Sequence, residues 1–546
     1  MGHGGAGNNV TSLVERHRKL APERAAFRWA GGDRGTTDLT RHEAITYGEL
    51  GRLVEVVAGG LWRLGLRPGD RVLVFLPMSA PMYVTMFAAQ RVGAAAVFLD
   101  SWARRDQLGF CAALVEPRLI VAPEAAYAAG RGVSELEAIP VKVVAGPHSG
   151  RYSATLEELE LGPEGQAIEP VEAGATALIT FTTGSSGRPK GADRTHEFLL
   201  AQHAALRGVI PYLGQDVDLP VFPIFSLNNV AGGVTTVLPA VDLARPAPED
   251  GAVLVAQMRD QGVTCCTLSP SLLRAVAAHC LASGERLPGL RRVVTGGAPV
   301  SREDIVAVRA SAPRAEILVL YGSTEVEPIA HVEAQEILGR PAGEPGTLVG
   351  PIVGGLRCRL LSVNKGPIAL DERGFGPWLA AAGQPGEVVV AGAHVCRGYY
   401  RDEDAFTRTK IVEADGTVWH RTGDVGYLDR EANLHLVGRV HNTVLRAGQL
   451  LYPVTPEILM SGVEGVRQSA YVGLPDRALG ECAAAVVSLR AGARREHVEA
   501  EVRRVFTREG VPADRFYVVD EIPMDPRHHS KVEYAALRER LAGAAS

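Results

Sequence analysis

The chain has 546 residues, of which 46% are hydrophobic and 22% charged, and its formal net charge is -5. This composition is ordinary for a soluble globular protein, and the small charge excludes a strongly basic surface of the kind that binds nucleic acid or an anionic membrane. The length exceeds what one hydrophobic core accommodates and predicts about two to four structural units.

Targeting and membrane signals are missing from the sequence pattern. The longest apolar candidate, MYVTMFAAQRVGAAAVFL, contains Gln90, Arg91 and Gly93 and is interpreted as a buried helix that runs into a strand. The first ten residues lack the basic and apolar regions of a signal peptide, and Ala6 stands where a myristoylation motif needs Ser or Thr. We therefore expect a cytoplasmic protein without a transmembrane segment. The seven cysteines are scattered without a CxxC pair and predict neither a disulfide framework nor a zinc site.

Short apolar runs, each followed by a polar turn and a helix-like stretch, recur up to about residue 345. They are DRVLVFLP, AAAVFLD, PRLIVAP, ATALITFTTG, GVTCCTLSP, RRVVTGGAP and EILVLYGSTE. Strands that alternate with helices predict an α/β fold with stacked, largely parallel sheets. Ligands bind beyond the carboxyl ends of such strands, so the loops after these runs are candidate site segments.

The pattern changes after about residue 345 to short strands with Gly, Asp and Asn turns, which predicts a small β-rich subdomain. Beyond Arg439, QSAYVGLPD and CAAAVVSLR are predicted strands, and RREHVEAEVRRVFTREG is a predicted amphipathic helix. We therefore predict a large N-terminal domain over residues 1–438 and a small α+β C-terminal domain over residues 440–546.

The segment FTTGSSGRPKGADRTH is rich in glycine and hydroxyl groups, although it follows an apolar run. Its glycines permit unusual backbone conformations, its hydroxyls donate hydrogen bonds, and its lysine adds a cation. It is not a Walker loop, because Pro189 precedes Lys190 and Gly191 follows it. We interpret it as a cradle for a polyphosphate, with a flexible surface turn as the alternative. The candidate phosphate-binding residues are Thr182, Thr183, Gly184, Ser185, Ser186, Gly187 and Lys190.

Two further loops follow predicted strands. In TGGAPVSRED, Ser301 and Asp304 predict a helix cap, and a tight turn before a capped helix explains this loop when it is taken alone. In LVLYGSTEVEP, Tyr321 is suited to stack on a flat base, Thr324 to contact phosphate and Glu325 to bind Mg²⁺. The alternative for this second loop is a solvated strand end.

The last two candidate loops are less specific individually. HRTGDVGYLD places Asp424 between glycine-flanked turns, where it can accept hydrogen bonds from two sugar hydroxyls or simply form a turn. MDPRHHSKVEY holds Lys531 in a polar loop near the C-terminus, and a lone lysine there is usually solvated surface. His528 and His529 beside it are interpreted as exposed loop residues, with contact to phosphate as the alternative.

In order and spacing, these loops resemble the adenylate-forming superfamily of acyl-CoA synthetases, nonribosomal peptide synthetase adenylation domains and luciferases, from about Tyr47 to Leu541. The resemblance implies an AMP-forming acid ligase that uses ATP and Mg²⁺, with a mobile C-terminal lid. It implies the following roles: phosphate cradle at Thr182, Thr183, Ser185, Ser186 and Lys190; adenine slot at Gly297, Ala298, Pro299 and Tyr321; phosphate contact at Thr324; Mg²⁺ at Glu325; ribose at Asp424 and Arg439; and Lys531 bridging the carboxylate and the α-phosphate.

A closer resemblance lies in VDLPVFPIFSLNN, LPAVDLARPAP, VWHRTGDVGYLD and PRHHSK, which are similar to segments of the β-lactone synthetases of bacterial olefin and β-lactone pathways. It implies activation of a β-hydroxy fatty acid, whose own hydroxyl then displaces AMP at high effective concentration. CoA is not favoured, because His441 stands at the hinge where CoA ligases usually have Asp or Lys. Glu457 also follows two residues later than the usual Pro-x-Glu, in the segment that normally lines the pantetheine tunnel.

Two alternatives remain open at the level of sequence. One is an acyl-CoA synthetase or acyl-AMP ligase acting on another fatty acid; the other is a nonadenylating member that only transfers a preformed acyl-adenylate. Lys190, Glu325 and Lys531 argue against the second. Residues from Phe222 to Val230 and from Val326 to Ile329 are predicted to line the acyl pocket, because they adjoin the catalytic loops. The sequence identifies no pathway enzyme as a partner.

Overall fold

The computed structural model describes residues 6–31, 41–99, 105–183, 188–341, 344–524 and 532–544. The strands in chain order are β1 (Ala25–Ala30), β2 (His42–Thr46), β3 (Arg71–Val74), β4 (Ala95–Phe98), β5 (Leu119–Ala122), β6 (Val141–Val144), β7 (Ala154–Thr155), β8 (Thr176–Thr183), β9 (Pro189–Thr195), β10 (Val217–Pro220), β11 (Thr235–Val237), β12 (Cys265–Leu268), β13 (Arg292–Gly296), β14 (Glu316–Ser323), β15 (Val326–Glu333), β16 (Thr347–Pro351), β17 (Leu356–Leu361), β18 (Gly386–Gly392), β19 (Lys410–Val412), β20 (Val418–Leu428), β21 (Asn433–Arg439), β22 (Val444–Arg446), β23 (Gln449–Leu451), β24 (Val466–Asp476), β25 (Gly480–Leu489) and β26 (Arg515–Val518). The helices are α1 (Ser12–Leu20), α2 (Tyr47–Arg63), α3 (Ala80–Arg91), α4 (Arg105–Val115), α5 (Glu124–Ala129), α6 (Ser134–Glu137), α7 (Leu156–Glu160), α8 (His196–Val209), α9 (Pro223–Gly232), α10 (Asp250–Asp260), α11 (Pro270–Ser283), α12 (Arg302–Ser311), α13 (Ala334–Gly339), α14 (Glu403–Thr409), α15 (Val454–Ser461), α16 (Arg495–Glu509) and α17 (Tyr534–Ala544).

The chain forms two compact units. Unit 1 comprises residues 1–329, 353–355 and 392–407, and unit 2 comprises residues 330–352, 356–391 and 408–546. The predicted domain boundary between residues 438 and 440 stays a prediction.

Unit 1 is built on two layered sheets. One has the strand order β15-β14-β13-β12-β10-β11-β1-β2, and the other has the order β7-β6-β5-β3-β4-β8-β9. Neighbouring strands from β10 to β14 pair in parallel, as do β3, β4, β5 and β8 with their neighbours in that group. Helices α2 and α3 bury Tyr47, Leu50, Tyr83 and Met86 in the core between strands. The predicted α/β architecture with parallel sheets is therefore confirmed.

The longest apolar stretch is a helix followed by a strand, as predicted, since it forms α3 and then β4. Helix α3 is buried along nearly its whole length, which explains its apolar composition on all sides. Across the described ranges, the chain has no helix with the length and apolar character that crossing a membrane requires.

Strands β8 and β9 form an antiparallel pair that the sequence pattern did not predict. We expected a polar loop from Phe181 to His196, but β8 continues to Thr183 and a second strand begins at Pro189. Gly191 allows this pairing, because a Cβ at that position would lie 3.1 Å from Ile179 Cγ2 and 3.3 Å from the Phe181 ring. The loop is thus much shorter than its polar composition indicated.

Unit 2 contains two further sheets. One has the order β16-β21-β20-β18-β17, with β19 paired to β20, and the other has the order β23-β22-β25-β24, with β26 paired to β25. Helix α16 packs Val498, Val502 and Phe506 into the second core, at the spacing of one helical face. The predicted β-rich region, the two C-terminal strands and the amphipathic helix are confirmed, except that CRGYYRD forms no strand and residues 392–407 belong to unit 1.

Candidate active site

Two predicted phosphate-binding residues face each other across β8 and β9. Thr182 lies opposite Lys190 in the ladder, and the backbone of Thr183 lies opposite Pro189. The Lys190 side chain is buried, and its ammonium lies 5.8 Å from the centre of the Tyr399 ring. Gly184, Ser185, Ser186 and Gly187 lie outside the described residues. The pairing of β8 with β9 therefore holds Thr182 and Lys190 opposite each other, close to the ends of the two strands that the predicted phosphate loop connects.

Glu325 lies in the two-residue turn between β14 and β15. Its carboxylate is buried, and Tyr399 Oη donates a 2.7 Å hydrogen bond to Glu325 Oε1. The backbone N–H of Cys396 donates to the Glu325 carbonyl at 2.7 Å. Tyr399 thus contacts the predicted metal ligand while its ring lies near the Lys190 ammonium.

The sequence analysis missed Tyr399 as a site residue. Its segment, CRGYYRD, lies after residue 345 in the part of the chain predicted to be β-rich, whereas the structure places it in unit 1 beside β9. Tyr400 N–H donates to the Gly191 carbonyl at 2.8 Å, which holds this segment against the lysine-bearing strand. The sequence signal that would have indicated a packed turn here is the pair of adjacent tyrosines after a glycine.

Arg194 is a second residue that the sequence analysis missed. It is buried in β9, and its Nη2 donates a 2.6 Å hydrogen bond to the carbonyl of Thr324. Burial lowers the pKa of this guanidinium, while the carboxylates of Glu325 and Glu327 oppose that shift. A buried cation therefore supports the turn that carries both predicted catalytic residues, Thr324 and Glu325.

Glu327 follows two residues later in β15. Burial raises the pKa of its carboxyl group to about 7, and the nearby Arg194 guanidinium acts in the opposite direction. Its backbone carbonyl accepts a 3.2 Å hydrogen bond from Gln202 Nε2 in α8. A carboxyl group thus lies within the segment that was predicted to line the acyl pocket.

The predicted adenine slot lies at the carboxyl ends of β13 and β14. Gly297 has φ +78°, a conformation that favours glycine, and the Phe222 ring lies 3.9 Å from the position of a Cβ there. Ala298 and Pro299 continue this loop into α12. Tyr321 belongs to β14 itself rather than to the loop after it. Strands β13 and β14 are parallel neighbours, so the loop that begins at Gly297 lies beside Tyr321 at the same edge of the sheet.

The predicted cap of α12 is confirmed. The Ser301 side chain accepts a hydrogen bond from the Asp304 backbone N–H, and the Asp304 carboxylate accepts one from the Ser301 N–H. This reciprocal pair satisfies donors at the helix start. The loop TGGAP is thereby anchored on both sides, by β13 and by a capped helix.

The two predicted ribose residues form an ion pair in unit 2. Asp424 of β20 lies opposite Arg439 of β21, and Arg439 Nε lies 2.9 Å from Asp424 Oδ1. Asp424 was expected in a turn, but it lies within a strand whose ladder is interrupted next to it, and Gly423 has φ +72°. Gly423 and the interrupted ladder make β20 irregular next to Asp424. This irregularity explains why the sequence there is typical of a turn.

The predicted hinge residue His441 lies in a 3-10 turn, Val440–Asn442. Desolvation of its imidazole, with the cations of Arg439 and Arg538 nearby, lowers the pKa of His441 to about 4. A lowered pKa favours the neutral imidazole, so we expect no change of its charge near pH 7. Lys531, His528 and His529 lie outside the described residues.

Glu457 lies in the first turn of α15 and points into unit 2. Its Oε1 accepts hydrogen bonds from the Tyr471 N–H at 2.9 Å and from Tyr534 Oη at 2.5 Å. Burial raises the pKa of Glu457 to about 7, whereas these hydrogen bonds lower it. The displaced glutamate of the C-terminal segment thus joins α15 to the start of α17.

The fold and these residues define an adenylate-forming ligase. The chain belongs to the AMP-binding enzyme family, whose model matches residues 14–400. The predicted superfamily, fold and AMP-forming acid ligase class are thereby confirmed.

Known relatives cover almost the whole chain. The olefin beta-lactone synthetase of Xanthomonas campestris pv. campestris is 31% identical, over 98% of this chain and 97% of its own. A feruloyl-CoA synthase of an Amycolatopsis species is 29% identical, over 88% of both chains. Among solved structures, ATP-bound MatB from Rhodopseudomonas palustris matches with a TM-score of 0.79 and 22% identity, covering 99% of each chain.

Proposed function

We propose that this ligase converts a β-hydroxy fatty acid and ATP into a β-lactone, AMP and pyrophosphate. The observation that carries the proposal is the likeness to an olefin beta-lactone synthetase across 98% of this chain and 97% of that relative. The feruloyl-CoA synthase matches over 88% of each chain, so the likeness to a CoA-using relative is less complete.

The C-terminal segment supports a reaction without CoA. His441 and Glu457 depart from the usual pattern of CoA ligases, in the region that normally lines the pantetheine tunnel. The Glu457 carboxylate is committed to Tyr471 and Tyr534 inside unit 2. A reaction in which the acceptor is the substrate's own hydroxyl has no need of such a tunnel.

In the first step, a carboxylate oxygen of the acid bonds to the α-phosphorus of ATP, and the bond from that phosphorus to pyrophosphate breaks. An anion attacks an anion, so the site must neutralise charge. Lys190, with Thr182 and Thr183 at the strand ends, would hold the phosphates, and Lys531 would bridge the carboxylate and the α-phosphate. The adenine slot at Gly297, Ala298, Pro299 and Tyr321 and the ribose pair at Asp424 and Arg439 would orient the nucleotide.

The residues present fit a magnesium ion that arrives with the nucleotide. Mg²⁺ in such sites is held by one or two carboxylates together with phosphate oxygens and water. Over the described ranges, no group of three or more His, Cys, Asp or Glu side chains is placed to hold a metal. Glu325 supplies one buried carboxylate, oriented by Tyr399, and Mg²⁺ bound there would neutralise phosphate charge.

In the second step, the β-hydroxyl oxygen bonds to the acyl carbon, and the bond from that carbon to the AMP oxygen breaks. The hydroxyl proton passes to solvent water, and the four-membered lactone and AMP are released. Both reacting groups belong to one molecule, so orientation within the pocket governs the rate.

The experiment that tests the proposal supplies ATP, Mg²⁺ and a 3-hydroxy fatty acid with and without CoA. Without CoA, we expect AMP, pyrophosphate and a lactone in equal amounts, identified by mass spectrometry and the strained lactone carbonyl band. Strict dependence of AMP formation on CoA, with a thioester as the product, would refute it and favour the acyl-CoA synthetase alternative, to which the feruloyl-CoA synthase relative points.

The role of Lys531 separates adenylation from transfer of a preformed acyl-adenylate. We expect Lys531→Ala to abolish pyrophosphate release while lactone formation from a supplied acyl-adenylate is retained, because the lysine would act in the first step. Equal pyrophosphate release by Lys531→Ala and the native enzyme would overturn this assignment.

A further inference from the structure

Glu327 is a carboxyl group that the reaction described above does not use. It lies in β15 between buried apolar residues, Val326 and Pro328 with Ile329. Its side chain is partly exposed, and within the described residues its carboxylate forms neither a hydrogen bond nor an ion pair closer than 4.0 Å. The carboxyl oxygens are therefore available as hydrogen-bond acceptors for a bound ligand.

Glu327 follows closely after the turn between β14 and β15, which carries Thr324 and Glu325. A Cβ placed on Gly322 would lie 3.2 Å from both Cα and Cβ of Glu327, so the two residues face each other across β14 and β15. The buried Arg194, whose charge acts on Glu327, donates to the carbonyl of Thr324 at 2.6 Å. Glu327 is therefore adjacent to the place where the substrate carboxylate is activated.

Gln202 connects the Glu327 backbone to a small apolar cavity. Gln202 Nε2 donates a 3.2 Å hydrogen bond to the Glu327 carbonyl, and the Gln202 side chain also lines this cavity between α8 and α9. The other lining residues include Leu199, Leu206, Ile224 and Leu227. Two of them belong to the segment predicted to line the acyl pocket, and their side chains are apolar, as are those that contact alkyl groups in binding sites.

The order of these groups matches the order of groups along a β-hydroxy acid. The activated carboxylate belongs near Thr324 and Glu325, the alkyl chain would run toward the apolar residues beyond Gln202, and the β-hydroxyl stands on the second carbon from the carboxyl carbon. Successive residues on one face of a strand are about 6.6 Å apart. Glu327 thus offers an acceptor oxygen to a hydroxyl group along this line.

We propose that the Glu327 carboxyl group accepts a hydrogen bond from the β-hydroxyl of the acid substrate and thereby selects hydroxy acids over plain fatty acids. This inference rests on the proposed function for the identity of the acid. It requires only an oxygen acceptor, which the carboxyl group presents in either ionisation state. The hydrogen bond uses the hydroxyl proton and leaves an oxygen lone pair for attack on the acyl carbon, so Glu327 acts as a specificity and positioning residue.

The test compares kcat/KM for pyrophosphate release with a 3-hydroxy fatty acid and with the fatty acid of equal length that lacks the hydroxyl. We expect the native enzyme to prefer the hydroxy acid by at least about tenfold, because a plain acid cannot form the hydrogen bond to Glu327. Glu327→Leu is expected to lose this preference by slowing the hydroxy acid, with the plain acid unchanged or faster. Glu327→Gln keeps an acceptor oxygen and is expected to retain most of the preference.

Glu333→Leu is the matched control, because Glu333 is an exposed glutamate at the other end of the same strand. It should leave the ratio unchanged. If the native enzyme has nearly the same kcat/KM for the hydroxy acid and the plain acid, the inference is overturned. This measurement needs no variant, so the inference remains testable if Glu327→Leu does not fold. An unchanged ratio in Glu327→Leu, or an equal loss for both acids, also overturns it. Pyrophosphate release precedes the fate of the adenylate, so a preference for hydroxy acid without lactone formation would refute the proposed function and leave this inference standing.

Discussion

The half-buried Glu457 makes the stability of unit 2 depend on pH. Burial raises its pKa from 4.5 to about 7 in the folded chain, whereas an unfolded chain exposes it to water at its ordinary value. Between these values the folded state holds a proton that the unfolded state has lost. The protonated Glu457 therefore contributes its full stabilisation to the folded state below pH 4.5, and this contribution is lost as the pH rises through 7.

The two pKa values set the size of the effect. Each pKa unit corresponds to about 1.4 kcal/mol, so the difference amounts to about 3 kcal/mol of unfolding free energy between pH 4 and pH 8. Glu457→Gln stays neutral throughout and keeps an acceptor oxygen for Tyr471 and Tyr534. We expect the variant to gain about 3 kcal/mol relative to the native chain over this range.

The assay is urea unfolding of the full chain at several pH values, with labelling of the Cys482 thiol as the signal. Cys482 is buried in β25 and becomes reactive when unit 2 opens. Native chain and variant are compared at the same pH, which cancels the intrinsic reactivity of the thiol. Glu464→Gln, at an exposed glutamate of the same unit, is the control. Parallel stability curves for Glu457→Gln and the native chain would refute the reasoning.

Three further substitutions test individual contacts. Tyr399→Phe removes the hydrogen bond to Glu325 and is expected to raise the Mg²⁺ concentration for half-maximal pyrophosphate release on the order of tenfold; an unchanged Mg²⁺ requirement would contradict this. Asp424→Asn is expected to raise KM for ATP on the order of tenfold with KM for the acid unchanged, whereas an effect confined to the acid would argue against a ribose site. Arg421→Met leaves the buried Glu387 without its ion-pair partner and is expected to lower the unfolding free energy by about 3–5 kcal/mol, measured in urea; a loss below about 1 kcal/mol would show that the pair is dispensable.

The sequence predicted those features that depend on local pattern. Apolar runs followed by turns located the parallel strands, and the spacing of Val498, Val502 and Phe506 located α16. Ser301 and Asp304 located a helix start, because a reciprocal cap involves only residues three apart. Such signals are contained in short windows of sequence, so tertiary packing did not need to be known.

The features that were missed depend on distant partners. β9 carries Lys190 and Arg194, and both are buried although their side chains are charged, so its composition predicted a loop. Arg194 contacts Thr324, which is 130 positions away, and Tyr399 contacts Glu325, which is 74 positions away. A buried charge in a strand is explained only by its partner, and one chain without its fold does not identify that partner.

The antiparallel pairing of β8 and β9 ties the placement of Lys190 to the core of unit 1. Ile179 and Phe181 of β8 are both buried, and a slip of the pairing by one residue would move such side chains out of the core. Thr182 and Lys190 are therefore held opposite each other by the packing of the sheet. The position of this cation is inherited from the sheet, so we expect it to tolerate changes of residue type in the segment that joins the two strands.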